Sequence, residues 1–155
     1  MYFTFELKNM SFSGETLYIQ DQLSLIYKPH NTNAGVGILI GAYTELDTIC
    51  ETSEVVHISG LNPKNTWITQ RLIIPEAKPG RIYAHFSSPA IKGTGVSYDR
   101  TWSTYYDYEK QYICMGNYQT SESDDCVEFA NGMIAVLSGV KLVSVWSKIR
   151  EVKTA

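Results

Sequence analysis

The sequence predicts an all-β protein, a two-sheet antiparallel β-sandwich. Three observations support this: short runs rich in β-branched and aromatic residues, turns containing Gly and Pro between them, and a scarcity of helical periodicity. The chain has 155 residues, which fits one domain spanning residues 1–155. Apolar residues make up 44% of it and charged residues 19%, so a core needs neither a metal nor a disulfide to hold it together.

The strand-like runs follow one another along the whole chain. Some alternate apolar and polar residues, which is typical of half-buried strands, and others are apolar throughout. Two stretches, 44–51 and 144–152, are the best helical alternatives, although the β-branched residues in the second argue against a helix. The predicted strands are residues 2–8, 16–20, 22–28, 35–43, 54–59, 67–74, 80–87, 95–98, 112–115, 133–137 and 140–146.

The segment 98–132 interrupts this rhythm. It is long, aromatic and acidic, and it is inserted before the last two predicted strands. A loop of such length within a compact domain is usually functional. The segment is therefore the predicted functional loop of the domain.

The strand pattern resembles that of a known class of sandwich. Residues 23–28, 37–41, 67–75, 80–86 and 95–99 carry the resemblance, the last of them as Gly-Val-Ser-Tyr-Asp. Their order is similar to that of the jelly-roll sandwiches of carbohydrate-binding modules and MAM-type adhesion domains. The resemblance implies a ligand on a concave sheet face or at loop tips. It assigns no individual binding residue, and segment 98–132 has no counterpart in it.

Composition excludes several classes of partner. The 13 basic residues are scattered and the net charge is -3, so the sequence predicts no nucleic-acid partner. No window is apolar over the length of a bilayer span, which predicts no membrane insertion. The first residues lack the pattern of a signal peptide. The chain is expected to be made in the cytosol, or to be secreted if a leader was removed.

The cysteines leave the redox state open. There are three, Cys50, Cys114 and Cys126, and an odd count does not make a disulfide framework. A Cys114–Cys126 bridge and three free thiols are both compatible with the sequence.

The aromatic block 98–112 contains the candidate binding residues. Aromatic faces cover the apolar face of a sugar ring, and neighbouring charged groups hydrogen-bond its hydroxyls. Protein interfaces use the same mixture, and in the third interpretation alternate residues simply face the core. Burial of Trp102, Tyr105 and Tyr108 would remove the binding hypothesis. The candidate ligand or interface residues are Tyr98, Asp99, Arg100, Trp102, Tyr105, Tyr106, Asp107 and Tyr108.

Catalytic signatures are missing from the sequence. It has no Gly-x-Ser-x-Gly, no motif around any cysteine and no Walker-type glycine loop, so a non-catalytic protein is expected. An enzyme acting on glycans would draw its carboxylates from Asp99, Asp107 or Glu109.

No cofactor is predicted. The three histidines, His30, His57 and His85, form no closely spaced pair, so zinc is not expected. Calcium is the alternative, at Asp124, Asp125 and Glu128. Because the spacing of this acidic run does not match an EF-hand, a solvated turn is preferred there.

The leading functional expectation is a non-catalytic recognition or assembly module. It would be a structural component of a virion or surface complex, of decoration, fibre or adhesin type. Its partners would be other protein subunits in a homo- or hetero-oligomeric assembly. The alternative is a free, lectin-like carbohydrate-binding module with a glycan as partner, and the second alternative is a glycan-acting enzyme.

Overall fold

The computed structural model describes residues 1–29, 34–89 and 91–154. Regular structure in these ranges is β-strand, apart from two single-turn 3-10 helices, Gln20–Gln22 and Lys64–Thr66. The prediction of an all-β protein is confirmed. The described ranges contain no helix long and apolar enough to cross a membrane.

The strands are short, except for the last. Their bounds are β1 Tyr2–Glu6, β2 Glu15–Ile19, β3 Ser24–Lys28, β4 Ala34–Ile40, β5 Thr44–Ile49, β6 Glu54–Leu61, β7 Ile68–Thr69, β8 Lys78–Pro79, β9 Arg81–His85, β10 Gly95–Asp99, β11 Thr104–Asp107, β12 Tyr112–Gly116, β13 Asp125–Ala130, β14 Met133–Ser138 and β15 Lys141–Val152.

Strand β15 joins two halves of one continuous hydrogen-bonded network. Its first part pairs with β12 on one side and β14 on the other, within the order β7-β11-β12-β15-β14-β13-β8. Its last residues, from Ile149 onward, pair with β2, within the order β10-β4-β5-β6-β3-β2. Strands β9 and β1 branch from β6. We call the part containing β10 to β2, with β9 and β1, the first half, and the part containing β7 to β8 the second half.

The strand directions differ from the prediction of an antiparallel sandwich. Four pairs in the described ranges are parallel: β10–β4, β11–β7, β13–β8 and β15–β2. The sheet is therefore mixed. The sequence could not reveal this, because direction depends on which strands become neighbours.

The two halves pack against each other around one large core. The core draws apolar side chains from both halves, which makes the fold sandwich-like. Its fully buried members include Phe3, Leu25, Ile38, Ile58, Ile113, Leu137 and Val145.

A second, smaller core lies on the opposite face of the second half. Alternation along β15 sends Val145 to the large core and Trp146 to this one. Residues 68–79, which we call the strap, cover it. The strap pairs with β11 at one edge of the second half and with β13 at the other, and it buries Leu72 completely between them. The prediction of a strand over 67–74 is therefore wrong beyond Ile68–Thr69. The following residues form no strand and pack on the second core through their side chains.

The segment 98–132 is not one long loop, and that expectation is corrected. Strands β11, β12 and β13 lie within it, and β10 ends in it. The helical alternatives at 44–51 and 144–152 are also wrong, since β5 and β15 occupy them. Strand β5 pairs with its sequence neighbours β4 and β6, while β15 pairs with β14, with β12 and with the distant β2. These pairings override the local helical signal.

The three cysteines are free thiols. Cys114 lies on β12 and Cys126 on β13, with β15 and β14 between these strands. Neighbouring strands lie about 4.8 Å apart, so the two residues are separated by about 14 Å. A disulfide needs a Cα–Cα distance of roughly 4.4–6.8 Å, which excludes the Cys114–Cys126 bridge.

Candidate functional site

A groove of about 620 Å³ opens where β10 and the following turn meet the start of β15 and the end of β12. We call it the Trp102 groove. It combines aromatic rings with charged and polar groups. Its lining consists of Tyr98, Asp99, Thr101, Trp102, Ser103, Tyr105, Gly116, Asn117, Lys141, Leu142 and Val143.

Tyr98 supports the wall of this groove. Its hydroxyl donates to the carbonyl of Leu142 and accepts from the amide of the same residue. Its ring meets the rings of Phe3 and Trp102 edge to face, with centroids 5.2 Å and 5.9 Å away. The hydroxyl is thus committed within the protein, and Tyr98 can offer a ligand only part of its ring.

Trp102 is held close to the backbone of β12. A Cβ placed on Gly116 would lie 3.1 Å from Cδ2 of Trp102 and 2.5 Å from the carbonyl oxygen of Val143. Gly116 also has φ +100, a conformation that glycine adopts readily. The indole therefore rests where only a glycine leaves room, and it packs partly on the large core while remaining partly exposed.

Asp99 provides a negative charge in the groove. Oδ1 of Asp99 accepts hydrogen bonds from the hydroxyl and the amide of Thr101. These bonds, with the charge of Lys141 and the indole of Trp102 as smaller causes, hold the pKa of Asp99 below its usual value. The carboxylate is ionised at neutral pH and can accept a ligand hydroxyl.

Polar donors lie beside this carboxylate. Lys141 is exposed and makes no ion pair with any residue that the structure describes. Asn117 is also exposed, and because its Oδ1 accepts from the amide of Gln119, its NH2 group is the part available to a ligand. The exposed hydroxyl of Ser103 adds a group that can donate or accept.

A smaller groove of about 250 Å³ lies beside Trp102, and we call it the Tyr43 groove. Its lining is more apolar, since Tyr43 is 60% exposed and Leu61 39% exposed. Buried Asn62 is fully engaged, donating to Thr104 and accepting from the indole of Trp67. The lining residues are Gly41, Ala42, Tyr43, Thr44, Leu61, Asn62, Pro63, Thr66, Trp102, Ser103 and Thr104.

Arg100 connects the turns that carry the two grooves. Its guanidinium donates to the carbonyl of Ala42, in the turn before β5. The amide of Gly41 donates to the carbonyl of Asp99 at 2.9 Å. The predicted binding residue Arg100 thus lies outside both linings and holds their two turns together.

Two predicted site residues are internal. Tyr106 is buried, with its ring edge to face on Trp67 at 5.0 Å and the Nζ of Lys64 5.1 Å from its centroid. Asp107 is buried as well, and Oδ2 accepts from the amide of Leu72 in the strap at 2.9 Å. Burial gives no support to the binding prediction for these two residues, because both side chains serve the packing of the second half.

The remaining two predicted residues keep surface area. Tyr105 is half-buried, lines the Trp102 groove and packs on Tyr118 with ring centroids 4.5 Å apart. Tyr108 is 64% exposed and lies apart from the groove. Since Trp102 is also partly exposed, the burial that would have removed the binding hypothesis is not found.

The acidic run does not gather around one point. Asp124 closes its own turn by accepting from the amide of Ser121, and Glu128 accepts from the amide of Gly132 at the next turn. In the ranges 1–29, 34–89 and 91–154, no group of three or more His, Cys, Asp or Glu side chains is placed to hold a metal ion. The calcium alternative at Asp124, Asp125 and Glu128 therefore finds no geometric support. His30, one of the three histidines weighed for zinc, lies outside the described residues.

The carboxylates proposed for glycan cleavage are also dispersed. Asp99 lines the Trp102 groove, whereas Asp107 and Glu109 line a different groove of about 200 Å³ beside Tyr108. Asp107 is further committed to the amides of Leu72, Glu109 and Lys110. Paired carboxylates must flank one bond, so Asp99 does not share a site with the other two, and the Asp107 carboxylate is already occupied by backbone amides.

A separate polar cluster lies on β5 and β6. Oδ2 of Asp47 lies 3.1 Å from Nδ1 of buried His57 and accepts from the hydroxyl of Ser59 at 2.7 Å. Burial and the neighbouring Asp47 carboxylate raise the pKa of Glu45. The cluster holds two carboxylates close together in the sheet.

Sequence reasoning missed the polar half of the groove. Asn117 and Lys141 belong to strand ends far along the chain from Trp102, and neither stands in a motif. The available signals were the position of Asn117 within the predicted functional segment 98–132 and that of Lys141 at the start of the predicted strand 140–146, next to a turn.

No family model matches the chain, and no curated protein matches it.

Proposed function

We propose that this chain is a non-catalytic recognition module whose Trp102 groove binds carbohydrate. The observation that carries the proposal is the placement of a partly exposed indole with an ionised carboxylate, an ammonium and an amide in one groove. The volume of about 620 Å³ lies within the roughly 300–1,000 Å³ of small-molecule sites.

The groove offers what a sugar ring needs. The C–H groups of a pyranose present an apolar face, which the exposed part of the Trp102 indole can cover. Sugar hydroxyls both donate and accept, so they can bond to Asp99 on one side and to Asn117 and Lys141 on the other. A ligand without hydrogen-bonding groups would leave these charged groups unpaired in the contact.

A broad glycan array, probed with and without calcium, tests this proposal. We expect the unmodified protein to bind a defined set of glycans and Trp102→Ala to lose that binding. Tyr2→Ala is the matched control, because it removes an exposed aromatic ring that lies apart from the groove. An array with no bound glycan, or equal binding by Trp102→Ala, contradicts the proposal.

Assembly with other protein subunits, as in a virion or surface complex, is the second candidate. Three large apolar side chains around the β7–β11 edge favour it: Ile68 is 44% exposed, Ile73 83% and Tyr108 64%. Aromatic and aliphatic anchors of this kind dominate protein interfaces.

Light scattering over a range of protein concentrations tests this second candidate. Assembly through this edge predicts a mass above that of one chain, which Ile73→Asp and Tyr108→Asp reduce to the monomer. A monomer at every concentration, both alone and mixed with the proteins encoded beside it, argues against an assembly role.

A further inference from the structure

We infer that the carbohydrate ligand is an oligosaccharide that crosses Trp102 and occupies the Trp102 groove and the Tyr43 groove together. This inference rests on the proposed carbohydrate function and extends it to the size and polarity of the ligand. It follows from the way the two grooves share one wall.

The shared wall is formed by Trp102 and Ser103, which line both grooves. A chain with one sugar unit on one side of the partly exposed indole can therefore place its next unit in the other groove by crossing this residue. A single sugar would leave one of the two grooves unused.

The volumes agree with a shared ligand. The Tyr43 groove, at about 250 Å³, is smaller than the roughly 300–1,000 Å³ of typical small-molecule sites. Together with the Trp102 groove, of about 620 Å³, it still fits within that range. The smaller groove is better explained as an extension than as an independent site.

The two grooves differ in chemistry. Asp99, Asn117 and Lys141 make the first one polar. Tyr43 and Leu61 supply exposed apolar surface to the second. The structure thus assigns to the Trp102 groove a sugar unit with several free hydroxyls, and to the Tyr43 groove a unit that presents an apolar face or a small apolar substituent.

The relation between the grooves is fixed before a ligand arrives. The amide of Gly41 is bonded to the carbonyl of Asp99, and the guanidinium of Arg100 to the carbonyl of Ala42. Both bonds join the turn of the Tyr43 groove to the turn of the Trp102 groove. A site that is already ordered loses less conformational entropy on binding, which favours a ligand that spans both parts.

Calorimetric titration with sugars of increasing length tests the inference. The probes are linear homo-oligomers of glucose, mannose, galactose, xylose and N-acetylglucosamine, each from one to six units. We expect affinity to rise about tenfold or more between the monosaccharide and the trisaccharide of the preferred series, as burial of a further apolar face predicts.

Three variants assign this gain to its groove. Tyr43→Ala should remove most of the gain with length and leave monosaccharide binding unchanged, while Trp102→Ala should weaken binding at every length. Tyr2→Ala, which changes an exposed tyrosine outside both grooves, should bind like the unmodified protein.

The possible failures are distinguishable. Affinity that is independent of length, or a gain with length that Tyr43→Ala retains, overturns the inference and leaves the carbohydrate function standing. Absence of binding across all five series contradicts the carbohydrate function itself, and the two-groove inference falls with it.

Discussion

The hydroxyl of Tyr98 satisfies both backbone groups of Leu142, accepting from its amide at 3.0 Å and donating to its carbonyl at 2.9 Å. The register between β14 and β15 shifts at this point, where Leu142 faces Leu137 and Ser144 faces Val136. Such a bulge leaves backbone groups without a partner in the ladder. One tyrosine from β10 therefore completes the hydrogen bonding of β15 and at the same time forms the wall of the candidate groove.

Tyr98→Phe is expected to lower the free energy of unfolding by about 1–3 kcal/mol, because it leaves buried polar groups of Leu142 without a partner. Denaturant unfolding measures the loss. Tyr108→Phe, at an exposed tyrosine, should change stability by less than about 0.5 kcal/mol. Equal stability of Tyr98→Phe and the unmodified protein would show that water replaces the hydroxyl.

Gly116→Ala is expected to destabilise the protein and displace Trp102. The new methyl group would meet the carbonyl of Val143 and the indole, at a positive φ that costs more than about 1 kcal/mol. Gly139→Ala is the matched control, since Gly139 also has positive φ but nothing lies within 4 Å of its added Cβ. Thermal unfolding and tryptophan fluorescence measure the two effects. A similar loss in both variants would assign the whole cost to backbone strain.

Leu72→Ala is expected to lower the free energy of unfolding by about 2–5 kcal/mol. The side chain of Leu72 is completely buried where the strap covers the second core, in the same cluster as Trp146. Its neighbour Ile73 is 83% exposed, so Ile73→Ala should change stability by no more than about 0.5 kcal/mol. Urea unfolding of the two variants gives the comparison. Similar values for both would contradict the account of the strap as the cover of a second core.

Asp107→Asn is expected to reduce stability at neutral pH and to make it less sensitive to acid. Hydrogen bonds from the amides of Leu72 and Lys110 hold the pKa of Asp107 below its usual value. The native state therefore binds this proton more weakly than the unfolded chain does. The resulting stabilisation is present above the unfolded pKa and is lost as pH falls through the native pKa.

Urea midpoints from pH 7 down to pH 2.5 measure this dependence. The difference between Asp107→Asn and the unmodified protein should shrink as acid is added. Asp125→Asn, at an exposed aspartate, is the control. A difference that stays constant with pH would mean that Asp107 acts through packing alone.

Glu45→Gln is expected to increase stability at neutral pH. Burial and the Asp47 carboxylate raise the pKa of Glu45, so the native state binds its proton more tightly than the unfolded chain. Stability is then greatest below the unfolded pKa and falls as pH rises through the native pKa. An amide removes the charge and avoids this loss.

Thermal midpoints at pH 3.5 and pH 7.5 measure the effect, with Glu51→Gln in the exposed turn after β5 as the control. The gain of Glu45→Gln over the unmodified protein should be larger at pH 7.5. A variant that is less stable than the unmodified protein at both values would assign Glu45 a favourable role in the cluster.

The sequence by itself determined the fold class and the position of many strands. Runs such as 2–8, 54–59 and 80–87 contain strands close to their predicted bounds, because alternation and flanking turns act over a few residues. It also located Trp102 and Asp99 within one short segment, since aromatic density is visible without knowing the fold.

Only the tertiary structure decided which aromatic residues remain available. Tyr105 and Tyr106 are neighbours on β11, yet one lines the groove and the other is buried under Trp67. Alternation places them on opposite faces but does not say which face is covered. The sequence pattern likewise places Leu72 in a strand, and only the tertiary structure shows that it covers the second core.

The candidate groove is therefore a product of long-range pairing. Lys141 reaches Trp102 because β15 lies beside β12, and the turn of Tyr43 reaches it because β4 pairs with β10. Local sequence determines the conformation of each strand. Which strands become neighbours depends on the free energy of packing the whole chain, and the resulting strand pairs bring the residues of the groove together.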